Sequence, residues 1–189
     1  IENMLHLVEI KASSVERLRA LFGERANITH ADFTTTEIDG GFDFVIGNPP
    51  YNADGMKKVP TNSVRDKKND GRTMWVPFVK RSVSLLNPDG CLLFIIPSIW
   101  MKPDKAGMYS FMTRHKLDKI RCLTNTQTNQ MFSGEAQTPT CCVVLRRRET
   151  DKNVELYDTN RKLYVGHRLR DNLPIPLFGI TIVRKFMAV

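Results

Sequence analysis

Residues 41–52 read Gly-Phe-Asp-Phe-Val-Ile-Gly-Asn-Pro-Pro-Tyr-Asn, an apolar run followed directly by two prolines. The aromatic and β-branched side chains from Phe42 to Ile46 favour a buried β-strand. Pro49 and Pro50 end that strand, because neither has a backbone N–H to donate to a neighbouring strand. The pattern predicts a rigid loop at the carboxyl end of a strand, which is where open α/β sheets bind their ligands.

This loop offers the groups that are needed to hold a planar amine. The side-chain amide oxygen of Asn48 and the backbone carbonyl of Pro49 accept hydrogen bonds, and Tyr51 adds a flat aromatic face. Two acceptors that grip both N–H bonds of a ring-conjugated amine would expose its lone pair, and such contacts strengthen towards the transition state. The alternative interpretation is an Asn-Pro turn that only closes a strand.

At these residues the sequence resembles a known family. Asn48-Pro49-Pro50-Tyr51 is similar to the catalytic motif of S-adenosylmethionine-dependent amino-methyltransferases, above all the DNA adenine methyltransferases of restriction–modification type. The resemblance spans residues 5–146 and implies an α/β fold with a Rossmann-like methyltransferase sheet. It also implies that Asn48, Pro49, Pro50 and Tyr51 form the catalytic motif. Enzymes that methylate a glutamine amide in translation release factors, and some RNA methyltransferases, share the motif.

The segment before this motif predicts a cofactor site. Residues 4–10 predict a short strand that reaches Glu9, and residues 13–16 predict a serine-capped start to a helix. An acid at the end of such a strand can accept both hydroxyls of a ribose. The resemblance assigns that role to Glu9 towards S-adenosylmethionine, and it implies that Asp32 accepts from the adenine amino group while Phe33 packs on the ring. A solvated loop glutamate is the alternative for Glu9.

Residues 52–73 show no clear periodicity and are rich in basic side chains. Phosphate contacts by Lys57, Lys58, Lys67 and Lys68 would suit a nucleic-acid substrate. A solvated, mobile loop is an equally valid interpretation. The formal net charge of +8 over 189 residues favours an acidic partner, and nucleic acid is the commonest one. Many soluble domains are mildly basic without such a partner, so charge alone does not decide the question.

A second match to the restriction-type family follows this loop. Residues 74–86 predict an amphipathic helix, residues 87–90 a turn and residues 91–96 a buried strand. Pro97-Ser98-Ile99-Trp100 comes next, and the whole order again resembles that family. This second resemblance favours DNA over protein as the substrate.

The following part predicts a helix over 105–115, a strand over 119–123 and another strand over 141–145. The stretch 124–130 between the two strands is strongly polar. In the family, a phenylalanine in the corresponding position lines the pocket for the target base, so the resemblance makes Phe132 a candidate stacking wall. A core phenylalanine is an equally valid interpretation.

The sequence predicts two domains. Residues 1–148 are interpreted as a partial methyltransferase catalytic domain, and residues 149–189 as a C-terminal extension or the start of a truncated second domain. Within the latter, residues 154–157 and 162–165 predict a hairpin.

The family's glycine-rich cofactor loop, Asp-Pro-x-x-Gly-x-Gly, does not occur in this sequence. In the family this loop follows the first strand, which lies between the strands that correspond to residues 4–10 and 42–46. Without that strand, both of these apolar strands would be unpaired sheet edges. We therefore expect this chain to be the catalytic half of the enzyme, completed by an upstream segment or a partner chain. The chain alone is expected to bind the donor weakly and to be inactive.

The cysteines, the histidines and the lengths of the apolar runs argue against disulfide-linked, metal-binding and membrane-spanning proteins. Four cysteines, without Cys-x-x-Cys spacing and mostly within apolar runs, predict reduced thiols in a cytoplasmic protein. The four histidines have no metal-ligand spacing, and no apolar run has membrane-spanning length.

The leading hypothesis is methyl transfer from S-adenosylmethionine to the exocyclic amino group of adenine in DNA. One alternative is methylation of a glutamine amide in a protein. A second is a non-catalytic subunit that binds nucleic acid or a partner methyltransferase.

Overall fold

The structure is a computed structural model that describes residues 4–52, 73–105, 107–134 and 138–187. The chain forms two compact units, residues 1–39 and residues 40–189. Both units combine parallel strands with helices, which confirms the predicted α/β class.

The N-terminal unit is one parallel β-α-β motif. Its elements are β1 (His6–Glu9), α1 (Ala12–Phe22) and β2 (Asn27–His30), with Glu9 opposite His30 in the register. The predicted serine cap is wrong, because the N-cap residue is Lys11 and no side chain caps the helix. The Lys11 backbone N–H instead donates to Glu9 Oε1 at 2.8 Å, so the carboxylate at the end of β1 takes a donor at the turn into α1.

The C-terminal unit is built on one six-stranded sheet in the order β3-β4-β6-β5-β7-β8. The strands are β3 (Phe42–Gly47), β4 (Leu86–Pro97), β5 (His115–Leu123), β6 (Thr140–Glu149), β7 (Asn153–Asp158) and β8 (Leu163–Arg168). Strands β3, β4, β5 and β7 run parallel, while β6 and β8 run against them. The carboxyl ends of the four parallel strands therefore share one edge of the sheet.

One face of this sheet carries the core. The helices of this unit are α2 (Trp75–Leu85), a 3-10 helix (Ser98–Met101), α3 (Met108–Thr113), α4 (Asn125–Met131) and α5 (Ile180–Met187). Alternate residues of the central strands, such as Leu92, Ile96 and Leu145, are fully buried with Val79 of α2 and Met112 of α3. Period-2 burial of this kind is what a strand with one covered face requires.

The strand β3 differs from its prediction in one respect. It forms over the predicted residues, yet Phe44 is 65% exposed and Ile46 is 76% exposed. Among the described residues, β3 pairs only with β4, and β1 pairs only with β2. Both apolar strands are thus terminal strands of their sheets, and the expectation that Phe44 and Ile46 are buried is wrong for the described structure.

The predicted turn at residues 87–90 lies inside β4. The register between β3 and β4 shifts there, and Asp89 has a φ of 63°. A Cβ on Gly90 would lie 2.9 Å from the backbone oxygens of Asn87 and Phe42, so only glycine fits this bulge. Asn87 Nδ2 also donates to Asp43 Oδ1 at 2.8 Å, which gives Asp43 a structural role.

The predicted hairpin is confirmed. β7 and β8 pair antiparallel, and β7 also pairs in parallel with β5, so the hairpin continues the six-stranded sheet. Asp158 is fully buried at the end of β7 and accepts four hydrogen bonds, from the backbone of Asn160 and Arg161 and from the backbone and hydroxyl of Thr181. These bonds join the hairpin turn to the first turn of α5.

Candidate active site

The Asn-Pro-Pro-Tyr loop lies immediately after β3, at the carboxyl edge of the six-stranded sheet. Asn48 and Pro50 are exposed, whereas Pro49 is buried. No hydrogen bond joins the Asn48 side chain or the Pro49 carbonyl to another residue in the described part of the chain. The exposed Asn48 side chain is therefore open to a ligand, and the Pro49 carbonyl keeps its acceptor capacity unused among the described residues.

Close packing places the start of this loop. Gly47 lies opposite Phe94 of β4 in the register, and a Cβ on Gly47 would approach the Phe94 ring to 3.0 Å. Phe94 is itself buried in the core, so its ring has little room to move. The glycine lets β3 approach β4 closely at the residue before Asn48.

Backbone contacts hold the other end of the loop. The Met74 N–H donates to the Tyr51 carbonyl at 3.1 Å, and Asn52 forms an isolated bridge with Thr73. These contacts bring residues 52 and 73 together just before α2. The predicted phosphate-binding residues Lys57, Lys58, Lys67 and Lys68 lie between them and outside the described residues.

The Tyr51 side chain packs against the core through its ring. Its hydroxyl is buried and has no hydrogen-bond partner among the described residues. Burial raises the pKa of this hydroxyl well above its ordinary value, and the nearby Cys141 and Cys142 thiols raise it further. The phenol therefore stays neutral, and the ring rather than the hydroxyl is the part of Tyr51 that suits a stacking role.

The end of β4 forms the next part of the same edge. The Ser98 N–H and hydroxyl both donate to the Pro139 carbonyl, at 2.9 and 3.2 Å, and Trp100 is fully buried. Between them, Ile99 is 61% exposed. The exposure of Ile99 cannot be predicted from the sequence, because an apolar residue next to the buried Ser98 and Trp100 gives no signal of exposure.

Phe132 follows the last residue of α4, on the segment that leaves the carboxyl end of β5. It is partly buried, and it does not belong to the described core cluster. The helix α4 itself was missed, since residues 124–130 read as a polar stretch. The missed signal is the capping box, in which Thr124 and Gln127 each bond the other's backbone N–H, at 3.2 and 3.0 Å.

In the N-terminal unit, Glu9 and Asp32 follow one another across the carboxyl ends of β1 and β2. Both side chains, and that of Phe33, are partly buried. Glu9 uses Oε1 for the Lys11 N–H, while Asp32 Oδ1 accepts from both the backbone and the hydroxyl of Thr34 at 2.7 Å. These bonds fix the direction of each carboxylate before any ligand binds.

No group of three or more His, Cys, Asp or Glu side chains in the described part of the chain is arranged to hold a metal ion. No described helix is both long enough and apolar enough to cross a membrane. The four cysteines are free thiols, and three of them are buried.

Comparison with known protein families shows the family to which the chain belongs. The family model described as Eco57I restriction-modification methylase matches residues 2–132, which is more than half of the chain. The chain belongs to the Eco57I restriction-modification methylase family. A curated relative is the Type II methyltransferase M.TthHB8I of Thermus thermophilus, 31% identical over 143 residues, which are 69% of this chain and 32% of that protein. The chain spans a third or less of the length of the curated relatives it matches.

Solved structures share the fold of this family member. A class I S-adenosylmethionine-dependent methyltransferase from Listeria monocytogenes matches with a TM-score of 0.50 at 15% identity, over 96% of this chain and 52% of that one. DrdV in complex with DNA matches with a TM-score of 0.54 at 13% identity, over 90% of this chain and 24% of that one. The sheet is therefore a Rossmann-like methyltransferase sheet, as the sequence predicts.

Proposed function

We propose that this chain carries the catalytic site for transfer of a methyl group from S-adenosylmethionine to the exocyclic amino group of adenine in DNA. The observation that carries the proposal is a pair of acceptors without a hydrogen bond to any described residue, the exposed Asn48 side chain and the Pro49 carbonyl, at the carboxyl end of β3. Their presence in a member of a restriction-modification methylase family supports this chemistry over a simple turn.

The acceptors act on the amino group. Asn48 Oδ1 and the Pro49 carbonyl hold its two N–H bonds, so that the nitrogen lone pair leaves conjugation with the ring. S-adenosylmethionine, when bound, supplies an electrophilic methyl group on a sulfonium. The contacts from Asn48 and Pro49 become stronger as the nitrogen gains positive charge, which is the condition for lowering the barrier. No covalent enzyme intermediate is needed.

The target base has to leave the duplex for its amino group to reach this loop. We assign the stacking contacts to the ring of Tyr51 and to Phe132. The exposed Ile99 adds an apolar side chain at the end of β4, along the same edge. Base stacking on aromatic rings contributes about 1–3 kcal/mol per base, which helps to offset unstacking in the duplex.

The N-terminal unit fits the donor. The Glu9 carboxylate lies at a strand end, and its Oε2 has no hydrogen bond to any described residue, so it can accept from a ribose hydroxyl. Asp32, held by Thr34, is assigned to the cofactor's adenine amino group, and Phe33 to the face of its ring. Preordered carboxylates lower the entropy that is lost on binding.

DNA is the proposed partner. The net charge of +8 favours a polyanion, and the similar DrdV structure was solved with DNA. Lys57, Lys58, Lys67 and Lys68 are assigned to backbone phosphates, since they follow the Asn-Pro-Pro-Tyr loop directly in the sequence. We further propose that an upstream segment or a partner chain covers Phe44 and Ile46 and pairs with β3 along the side where the described residues place no strand, because exposed apolar edge strands are prone to aggregate.

The experiment that tests this function identifies the methylated product. The protein, with the segment or partner chain that completes its sheet, is incubated with S-adenosylmethionine labelled in its methyl group and, in separate reactions, with duplex DNA, RNA or a glutamine-containing protein. The digested products are separated by chromatography and identified by mass spectrometry. The expected product is N6-methyladenine. Label in cytosine, in RNA alone or in a glutamine side chain would replace the proposal, and donor binding without transfer to any substrate would reject it.

A further inference from the structure

Two tyrosines and two cations interlock on the strands β5, β7 and β8. The Arg121 guanidinium carbon lies 4.5 Å from the centroid of the Tyr157 ring, and Lys119 Nζ lies 5.0 Å from the centroid of the Tyr164 ring. The two rings meet edge to face, with centroids 5.3 Å apart. We refer to Lys119, Arg121, Tyr157 and Tyr164 as the tyrosine-cation patch.

The patch lies on the sheet face that the core does not use. The neighbours Ile120, Cys122 and Leu156 point into the core and are buried, so the alternate residues Lys119, Arg121 and Tyr157 face the other way. Arg121 stands two residues before the end of β5, and Tyr157 one residue before the end of β7. The patch is therefore close to the carboxyl edge of the sheet, which also carries Asn48.

The patch has more positive than negative charge. Lys119 pairs with Glu155 at 3.3 Å, with both side chains about half exposed. Arg121 is exposed and has no ion pair with any carboxylate in the described residues. The adjoining turn adds the exposed Arg161 and Lys162.

The one acidic residue at that turn has all of its described hydrogen bonds inside the protein. Asp158 is buried, and its two oxygens accept hydrogen bonds from Asn160, Arg161 and Thr181. The Asp158 carboxylate is therefore satisfied inside the protein. It does not neutralise the exposed cations around the patch. Charge complementarity points to a polyanionic partner.

The contact with Tyr157 prepares Arg121 for a phosphate. A guanidinium held over an aromatic face loses side-chain freedom, while its N–H groups remain available for hydrogen bonds around its rim. Those groups match the oxygens of a phosphate. The tyrosine rings are already occupied by the cations and by each other, so stacking on a nucleic-acid base is not their role.

We propose that the tyrosine-cation patch binds backbone phosphates of the DNA duplex that flanks the target adenine, an inference that rests on the proposed function. Three to four strand spacings separate β3 from β5 and β7 in the sheet order, which is about 14–19 Å. Since successive phosphates of one strand advance by about 3.4 Å along the helix axis, the patch meets the duplex roughly four to six base pairs from the flipped base.

The test measures binding of a 30-base-pair fluorescent duplex (the length is about three helical turns) at several salt concentrations. Replacing Lys119→Gln and Arg121→Gln together removes two phosphate contacts, so the slope of log K against log salt should become less steep by about 1.8. The matched control is the pair Arg184→Gln and Lys185→Gln, which removes the same charge from exposed positions on α5. The control should change the slope by less than half as much.

A second variant separates the stacking from the charge. Tyr157→Leu keeps both cations but removes the ring that orders Arg121, so binding should weaken by about two- to fivefold with an unchanged salt slope. If the Lys119 and Arg121 variants keep the wild-type slope, the patch only stabilises the sheet edge and the inference is overturned. Adenine methylation by the wild-type protein in that case leaves the proposed function standing, whereas absence of both DNA binding and DNA methylation overturns both.

Discussion

Thr128 Oγ1 and Thr140 Oγ1 lie 3.0 Å apart, and both side chains are fully buried. Thr140 is the first residue of β6, where it stands opposite Pro97 of β4 and Leu123 of β5. The bond therefore attaches α4 to the start of β6, between the carboxyl ends of the parallel strands β4 and β5. Because Phe132 follows α4, this pair of hydroxyls sets the position of one proposed wall of the base pocket.

Loss of either hydroxyl should destabilise the protein. Thr128→Val or Thr140→Val keeps the side-chain shape but leaves the partner buried without a hydrogen bond, which lowers the free energy of unfolding by about 1–3 kcal/mol. The double variant removes both polar groups, so its loss should be smaller than the sum of the single losses. Urea denaturation of the four proteins measures this cycle, and strictly additive losses would contradict the coupling.

Asn48→Ala should remove activity without disturbing the fold. The side chain is exposed and has no described partner, so stability should change by less than about 0.5 kcal/mol. Loss of one of two acceptors for the amino group should lower methyl transfer by about a hundredfold or more, with donor affinity retained. Asn27→Ala, an exposed asparagine of β2, is the matched control. Near-normal turnover by Asn48→Ala, measured with labelled donor, would contradict the assigned role.

Tyr51 should tolerate loss of its hydroxyl but not of its ring. The hydroxyl is buried without a described partner, so Tyr51→Phe should keep activity and leave the free energy of unfolding unchanged or raise it by about 1 kcal/mol. Tyr51→Ala removes core packing and the stacking face, so it should lose about 3–5 kcal/mol of stability and most of the transfer. Thermal unfolding and transfer assays on both variants test this pair, and loss of activity in Tyr51→Phe would show that the hydroxyl takes part.

Local sequence predicted the elements around the motif well. The strand β3 and the helix α2 are long periodic or apolar runs, and both occur at the predicted residues within a few positions. The helix α4 was missed because its residues are polar all round. Its formation depends on the capping box at Thr124 and on the buried hydrogen bond between Thr128 and Thr140. The second of these is a tertiary contact with β6, which the local sequence of the helix does not show.

Burial was harder to predict than secondary structure. The apolar residues Phe44 and Ile46 read as core, yet they are exposed on a terminal strand in the described structure. The composition of a segment indicates whether it forms a strand, whereas the burial of that strand depends on which other segments pack against it. The tyrosine-cation patch was missed for the same reason, since Arg121 and Tyr157 are distant in sequence and only the β5–β7 pairing brings them together.

Asp158 should make stability fall at acid pH. The hydrogen bond from the Thr181 hydroxyl, followed by those from the backbone of Thr181, Arg161 and Asn160, holds the pKa of this carboxyl below its ordinary value despite its burial. The unfolded chain therefore takes up the proton at a higher pH than the folded protein. The stabilising contribution is complete above the ordinary pKa of about 4 and is lost as the pH falls further.

Asp158→Asn tests this dependence, because asparagine cannot ionise. Free energies of unfolding measured at a series of pH values should fall less steeply below about pH 4 in Asp158→Asn than in the wild type. Thr181→Val, which removes the largest cause of the lowered pKa, should reduce the same slope in part. Identical slopes in all three proteins would show that other carboxylates account for the acid sensitivity.

Gly47→Ala should connect packing with catalysis. The added Cβ would meet the Phe94 ring at 3.0 Å, and the buried ring cannot move away without a wider shift of β4. The strain should lower the free energy of unfolding by about 1–3 kcal/mol. Since Asn48 is the next residue, a small shift of β3 should displace its acceptor and lower methyl transfer by about tenfold or more, because reacting groups tolerate little misplacement.

A compensating variant makes the cause testable. Phe94→Leu in the Gly47→Ala background removes the ring edge that the new methyl group meets, so it should restore part of the lost transfer even though Phe94→Leu alone leaves a small cavity. Transfer rates and urea denaturation of the single and double variants measure this rescue. Activity in Gly47→Ala equal to that of the wild type would mean that the position of Asn48 does not depend on the close approach of β3 to Phe94.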